Sequence, residues 1–287
     1  MNFVQYTQNT LDKYIPYDKS WLIRMGVLDL LHGFRDTEDF IAKQPESLGA
    51  DIDALARASA QWRTGQPIEV GESGTLYRFL QYAAWKRGSD AKFVKSGTLQ
   101  SRTIYNKPDV VTMSLKKLLT LDNGTSQWAS IAVLMGNDDP KPNPMPYKLG
   151  LTYEALEHWK NSRNAGRTWQ ARKDATIARQ ADAYVGWLRT GKMNFKPEQA
   201  EDYCFARAFG ILSAAEGEAL WPSLRLHESD RIVEMENALS QSEVSSKDHR
   251  VVQAVAMKKH DEVTFLYPEC VTKSWPKFWD WFTAVDR

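Results

Sequence analysis

Amphipathic helices that stop at glycine recur along this chain, and they restrict what it can fold into. "SWLIRMGVLDLLHG" (20–33) has apolar residues at helical spacing and ends at Gly33. "GTLYRFLQYAAWKRG" (74–88) is bounded by glycines on both sides, and "YCFARAFGILSAAEG" (203–217) ends on one. Glycine takes the left-handed conformation that closes a helix, so each of these is a complete element. "SQWASIAVLMG", "LTYEALEHWKNSRNAG", "DHRVVQAVAMKKH" and "SWPKFWDWFTAV" add four more helices. Between them, "AKFVKSG" and "EVTFLYPE" read as strands, and the proline-rich "NDDPKPNPMP" as a loop. Each amphipathic face must be buried against another element, so alternating helices and strands predict an α/β or α+β protein built from similar units. The segment 163–200 is charged and poor in apolar residues, and reads as exposed helix and linker.

At 287 residues the chain has room for about two domains. With 37 basic against 36 acidic residues the formal charge is +1, which argues against a general nucleic-acid binder but leaves room for a local cationic cleft. The two cysteines, Cys204 and Cys270, form no framework, and a reducing cytoplasmic compartment is expected. No stretch has the length of a signal peptide or a membrane helix, and the five histidines are too scattered for a zinc site.

Charged and hydroxylic residues gather at the helix starts. "PYDKSWLIR" puts Lys19 and Ser20 at a helix mouth with Arg24 one turn on. Free N–H groups there seat an anion; equally, Asp18 or Ser20 is a cap and Lys19 is solvated. "GESGTLYR" opens another helix with Gly74 and Thr75, and "NGTSQW" sets Thr125, Ser126 and Gln127 before a third. Each reads as a ligand cradle or as a plain cap. Arg102 ends the strand-like region of "SGTLQSRTI". Asp202 starts a helix, as a cap or a general base. "LHESDRIVEMENAL" crowds His227, Glu228, Asp230 and Arg231 into one turn, and "SSKDHRV" repeats the theme with Asp248, His249 and Arg250. These are two solvated helix starts or two walls of one anion site. Lys273 in "PECVTKSWP" lies between a strand and a helix.

Taken in order, these motifs resemble the enolpyruvyl transferases, and among them most closely the 5-enolpyruvylshikimate-3-phosphate (EPSP) synthases. In that family the counterparts read like PGSKSxSxR, GNAGTxxRxL, ERPI, SSQF, PDAA, KESDR, NDHR and DPxCVxKTFP. The likeness runs from residue 16 to residue 278, and the last three motifs carry most of it.

The resemblance implies a fold of two lobes made from repeated βαβαββ units, crossed twice by the chain. It places lobe one at 1–15 plus 196–287 and lobe two at 16–195. The chain is short for the family, which implies about one unit reduced or missing, between 163 and 200. It also implies the reaction: phosphoenolpyruvate (PEP) gives its enolpyruvyl group to the 5-hydroxyl of shikimate 3-phosphate and phosphate leaves. No cofactor or metal is required, and the enzyme is a monomer. By the family pattern Gly74, Arg102, Gln127, Arg231, Arg250 and Lys273 bind PEP. Lys19, Ser20, Arg24, Thr125, Ser126, Gln127, Asp202 and His227 hold shikimate 3-phosphate. Asp202 deprotonates the hydroxyl, Glu228 helps protonate the methylene carbon, and Lys19 lies by both substrates. The chain departs from the pattern at Asp18, Glu72, Phe79 and His227. Glu72 brings a negative charge to the PEP side, and His227 replaces a lysine. Transfer to another acceptor, or binding without turnover, is the alternative.

Overall fold

The structure, a computed structural model, describes residues 13–226 and 229–285. The chain is mixed α/β but mostly helical: helices hold 61% and strands 5%, so helix packing, not a broad sheet, buries most apolar surface. It divides into two compact units. One is Asp18–Arg172; the other takes in the segment ending at Tyr17 and the chain from Lys173 onward.

The Asp18–Arg172 unit holds α1 (Lys19–His32), α2 (Asp36–Ala42), α3 (Ala50–Thr64), β1 (Ile68–Gly71), α4 (Gly74–Lys86), β2 (Phe93–Lys95), α5 (Leu115–Leu118), α6 (Gln127–Leu134) and α7 (Tyr147–Asn164). Helix α1 is its centre. Every residue from Trp21 to Leu30 is buried, because α2, α3, α4 and α7 all pack on it. Asp18 caps it, accepting from the Trp21 N–H at 3.0 Å, and also pairs with Arg172 at 3.2 Å. Asp18 thus has a structural role as both cap and ion-pair partner. A helix buried all round must satisfy its own charges. Asp29 does so by accepting from Thr37, from the indoles of Trp159 and Trp169, and from Arg163 at 2.6 Å. Strands β1 and β2 pair in parallel, Ile68 with Phe93, and α4 is the crossover between them.

The second unit holds α8 (Ala175–Thr190), α9 (Tyr203–Ala208), α10 (Ala214–Leu220), α11 (Arg231–Ser240), β3 (Glu243–Val244), α12 (His249–Lys259), β4 (Thr264–Phe265) and α13 (Phe278–Val285). Its central helix is α12, buried from His249 to Met257 by α9, α11 and the turn at Pro268–Lys273. Strands β3 and β4 are again a parallel pair joined through the central helix. Tyr184, Phe205, Trp275, Phe278 and Trp281 build an aromatic core.

Three expectations are corrected. The segment 163–200 is helix and linker, as expected, but its helix is not exposed throughout: α8 places Ile177, Ala181 and Tyr184, spaced four and three apart, in the core of the second unit. The two compact units divide the chain at Arg172 and Lys173. The single helix expected over 203–217 is two. Gly210 turns left-handed (φ 72°), and Ser213 starts α10 through a capping box with Glu216. The strand expected at 262–269 shrinks to Thr264–Phe265.

Candidate functional site

The predicted site residues fall into two sets, one in each unit. In the Asp18–Arg172 unit they gather at the N-terminal ends of α1, α4 and α6. Lys19 Nζ lies 2.9 Å from Asp51 Oδ2, whose other oxygen is buried with no hydrogen-bond partner. Ser20 Oγ accepts from Lys148 Nζ at 3.1 Å. Arg24 is buried; it donates to Thr152 Oγ1 (2.8 Å), Ser130 Oγ (3.3 Å) and the carbonyls of Ser20 (2.8 Å) and Lys148 (2.9 Å). Its guanidinium stands over the Phe79 ring, 5.7 Å from the centroid.

Helix α6 links this cluster to a second one. Ser130 faces Arg24, and Gln127, one turn earlier, faces Arg78. Arg78 is the hub of the second cluster. It donates to Asp122 (2.6 Å), Gln127 Oε1 (2.7 Å) and the Gly74 carbonyl (3.1 Å). Arg102 lies beside it. A Cβ at Gly74 would stand 2.9 Å from Arg78 Nη1 and 3.4 Å from Arg102 Nη1, so only glycine lets both guanidinium groups crowd the start of α4. Burial holds Arg78 below the ordinary arginine value, Asp122 opposes this, and Arg102 adds to the lowering. Burial and then Arg78 likewise lower the pKa of Lys95. The result is a knot of three cations with Asp122 as its nearest acid. Arg102 Nε is buried there without an acceptor, and so is the hydroxyl of Thr125.

The loop before α6 is bent to build this knot. Asp122, Asn123 and Ser126 all have positive φ (48°, 56° and 57°). Non-glycine residues adopt this region at a cost and cluster at functional sites. The bend lets Asp122 accept from Arg78, the Trp128 indole and the Tyr105 N–H together.

In the second unit, Arg231 and Asp248 form a buried two-point ion pair at 2.8 and 3.2 Å. Asp248 also caps α12, accepting from the Arg250 N–H at 2.9 Å. Arg250 is itself buried, and its Nε and Nη1 have no hydrogen-bond partner among the described residues. Lys273 ends the turn that packs on α12, where Gln253 bonds Ser274 at 3.3 Å. His227 and Glu228 lie outside the described residues. Asp202 is fully buried: its Oδ2 accepts from Arg179 (2.9 Å) and from the Glu198 and Gln199 N–H groups, and its Oδ1 from Gln180 (2.9 Å). Its carboxylate makes no capping bond to α9; it closes a capping box with Gln199 around the short turn Ala200–Asp202. Cys204, wholly buried, has its thiol pushed up to about 12, chiefly by burial.

Sequence reading alone missed Asp122, Thr98 and Lys95. The signal for Asp122 is "DNG", a turn sequence one residue before the Thr–Ser–Gln run. Among the described residues no group of three or more His, Cys, Asp and Glu could hold a metal ion, and no helix is long and apolar enough to cross a membrane. Comparison with known protein families, with curated proteins and with solved structures finds no match to this chain.

Proposed function

We propose that the chain is a shortened enolpyruvyl transferase that moves the enolpyruvyl group of PEP to the 5-hydroxyl of shikimate 3-phosphate. One observation carries this reading. Two arginines that the motif resemblance gives to PEP, the half-buried Arg102 and the buried Arg250, have buried guanidinium N–H groups with no acceptor among the described residues. A buried donor without a partner costs about 1–3 kcal/mol, and more on a charged group. A carboxylate or phosphate at either arginine would remove that cost there, and PEP carries such groups. The bent Thr125–Ser126–Gln127 loop supplies hydroxyl and amide groups of the kind a polyol phosphate needs.

In this reading the acceptor oxygen adds to C2 of PEP while the methylene carbon gains a proton. The tetrahedral adduct then loses that proton and phosphate to give the enol ether. Lys19 and Glu228 serve the proton transfers. Asp202 can take the hydroxyl proton once the Arg179 and Gln180 bonds open. The fold implied is the two-lobed one, reduced by about one βαβαββ unit; the parallel β1–α4–β2 and β3–α12–β4 arrangements are in keeping with it.

A second reading, transfer to a different acceptor, is favoured by Lys19 being engaged by Asp51. Phosphate release from PEP decides. Release that requires shikimate 3-phosphate and is lost in Arg102→Ala and Arg250→Ala supports the first reading. Release with some other hydroxyl acceptor only would support the second, and PEP binding without release would overturn both.

A further inference from the structure

Arg102 is not held by an acid directly. Its Nη2 donates to Thr98 Oγ1 at 2.6 Å, and Thr98 sits on the short turn Gly97–Gln100 that follows β2. A threonine hydroxyl has one proton, so it accepts well from a cation only if that proton is committed elsewhere. Glu72 provides that commitment. Thr98 Oγ1 donates to Glu72 Oε2 at 3.0 Å, and the Thr98 N–H points to the same oxygen at 3.4 Å. Space for Glu72 is made by Gly97, whose φ is +49° and where a Cβ would fall 1.9 Å from Glu72 Oε1. The relay therefore runs Arg102 to Thr98 to Glu72, and it leaves Arg102 Nε buried and unmet.

We propose that Glu72 and Thr98 are positioning residues that fix the Arg102 guanidinium so that its Nε is presented to an anionic ligand. This rests on the reading of Arg102 as a PEP-binding group. It also revises the expectation for Glu72. Its charge is turned onto the Gly97–Thr98 turn, where it orders an arginine instead of repelling the ligand.

The test is PEP binding by the full chain, followed by tryptophan fluorescence, with inorganic phosphate as a second probe. Trp128 donates to Asp122 inside the same knot and gives the site its own reporter. Thr98→Val keeps the side-chain shape and removes the hydroxyl, and should weaken PEP binding about tenfold, the size expected for a hydrogen bond to a charged group. Thr98→Ser should restore affinity to within about twofold, and Glu72→Ala should match Thr98→Val. If turnover is present, KM for PEP should rise while KM for shikimate 3-phosphate stays unchanged, a split that loss of fold would not give. Wild-type affinity in Thr98→Val and Glu72→Ala, with binding lost in Arg102→Ala, would overturn the relay and leave the transferase reading standing. Relay-dependent PEP binding without turnover on shikimate 3-phosphate would do the reverse. Failure of the wild-type chain to bind either probe would overturn both.

Discussion

Helices α1 and α12 are the buried centres of their units, and they make an instructive pair. Each is capped by an aspartate, Asp18 or Asp248, which also forms an ion pair with an arginine. Each carries a further buried arginine within its first turns. In α1, Arg24 donates to four oxygens from three elements. In α12, Arg250 has two nitrogens with no partner among the described residues. The same residue type in nearly the same setting is thus spent on packing in one helix and left open in the other. A buried cation left open raises the free energy of the free protein and can be relieved by an anion. On the proposed reading, an anion would bind where stability is being given up.

The ion pair under α12 should show the largest effect. Arg231→Met removes the two-point ion pair from the buried Asp248 carboxylate, and should lower stability by about 3–5 kcal/mol in urea unfolding at neutral pH. A loss under 1 kcal/mol would mean that water reaches Asp248.

The arginine pair tests the comparison directly. Arg24→Met should destabilise by about 2 kcal/mol, because Thr152, Ser130 and two carbonyls each lose a donor. Arg250→Met should be neutral or stabilising by about 1 kcal/mol, since it removes unmet donors while keeping most of the volume. Excess inorganic phosphate should then raise the melting temperature of the wild-type chain more than that of Arg250→Met. Equal destabilisation by the two substitutions would end the distinction between a packing arginine and a waiting one.

How much of this was legible in the sequence follows from which forces are local. Glycine stops and Asp or Ser caps act within one turn, so α1, α4, α6 and α12 were readable with nearly their true ends. The motif order singled out Arg102 and Arg250 before any geometry was known. The burial of helix α8 is not legible, because only three residues, Ile177, Ala181 and Tyr184, bury it among many charges, and the tertiary core alone shows that they suffice. Asp122, Thr98 and Glu72 were missed as a set because their meaning lies in side-chain contacts 26 to 44 residues apart. The cap geometry of Asp202 was an open alternative in the sequence, and its contacts to Arg179 and Gln180 could not be read there.

The two cysteines extend the contrast between closed and open groups. Cys204 is wholly buried and its thiol is raised to about 12 from an ordinary 9, while Cys270 is partly exposed. Iodoacetamide at pH 8 should label Cys270 in the native protein and Cys204 only after unfolding, read by mass spectrometry. The raised value also has a pH consequence. The stability it contributes is fully present below about pH 9, where the unfolded thiol titrates, and is lost as pH rises through about 12. Cys204→Ala should lose less stability across that window than the wild type does.

The smallest effect should come from Ser126. Its φ of 57° and ψ of 2° put a non-glycine residue in the left-handed region at the start of α6. That conformation costs about 1–2 kcal/mol for an ordinary residue. Glycine removes this cost but loses about 0.5–1 kcal/mol through its freer unfolded chain. Ser126→Gly should therefore stabilise by roughly 0.5 kcal/mol, measured as a shift in the urea midpoint at constant slope. If the bend exists to shape a ligand cradle, the same substitution should weaken binding of shikimate 3-phosphate, because a glycine loop is less well held and lacks the hydroxyl. Stabilisation with weaker binding would mark the strain as functional. Stabilisation with unchanged binding would mark it as a by-product of the turn that lets Asp122 reach Arg78.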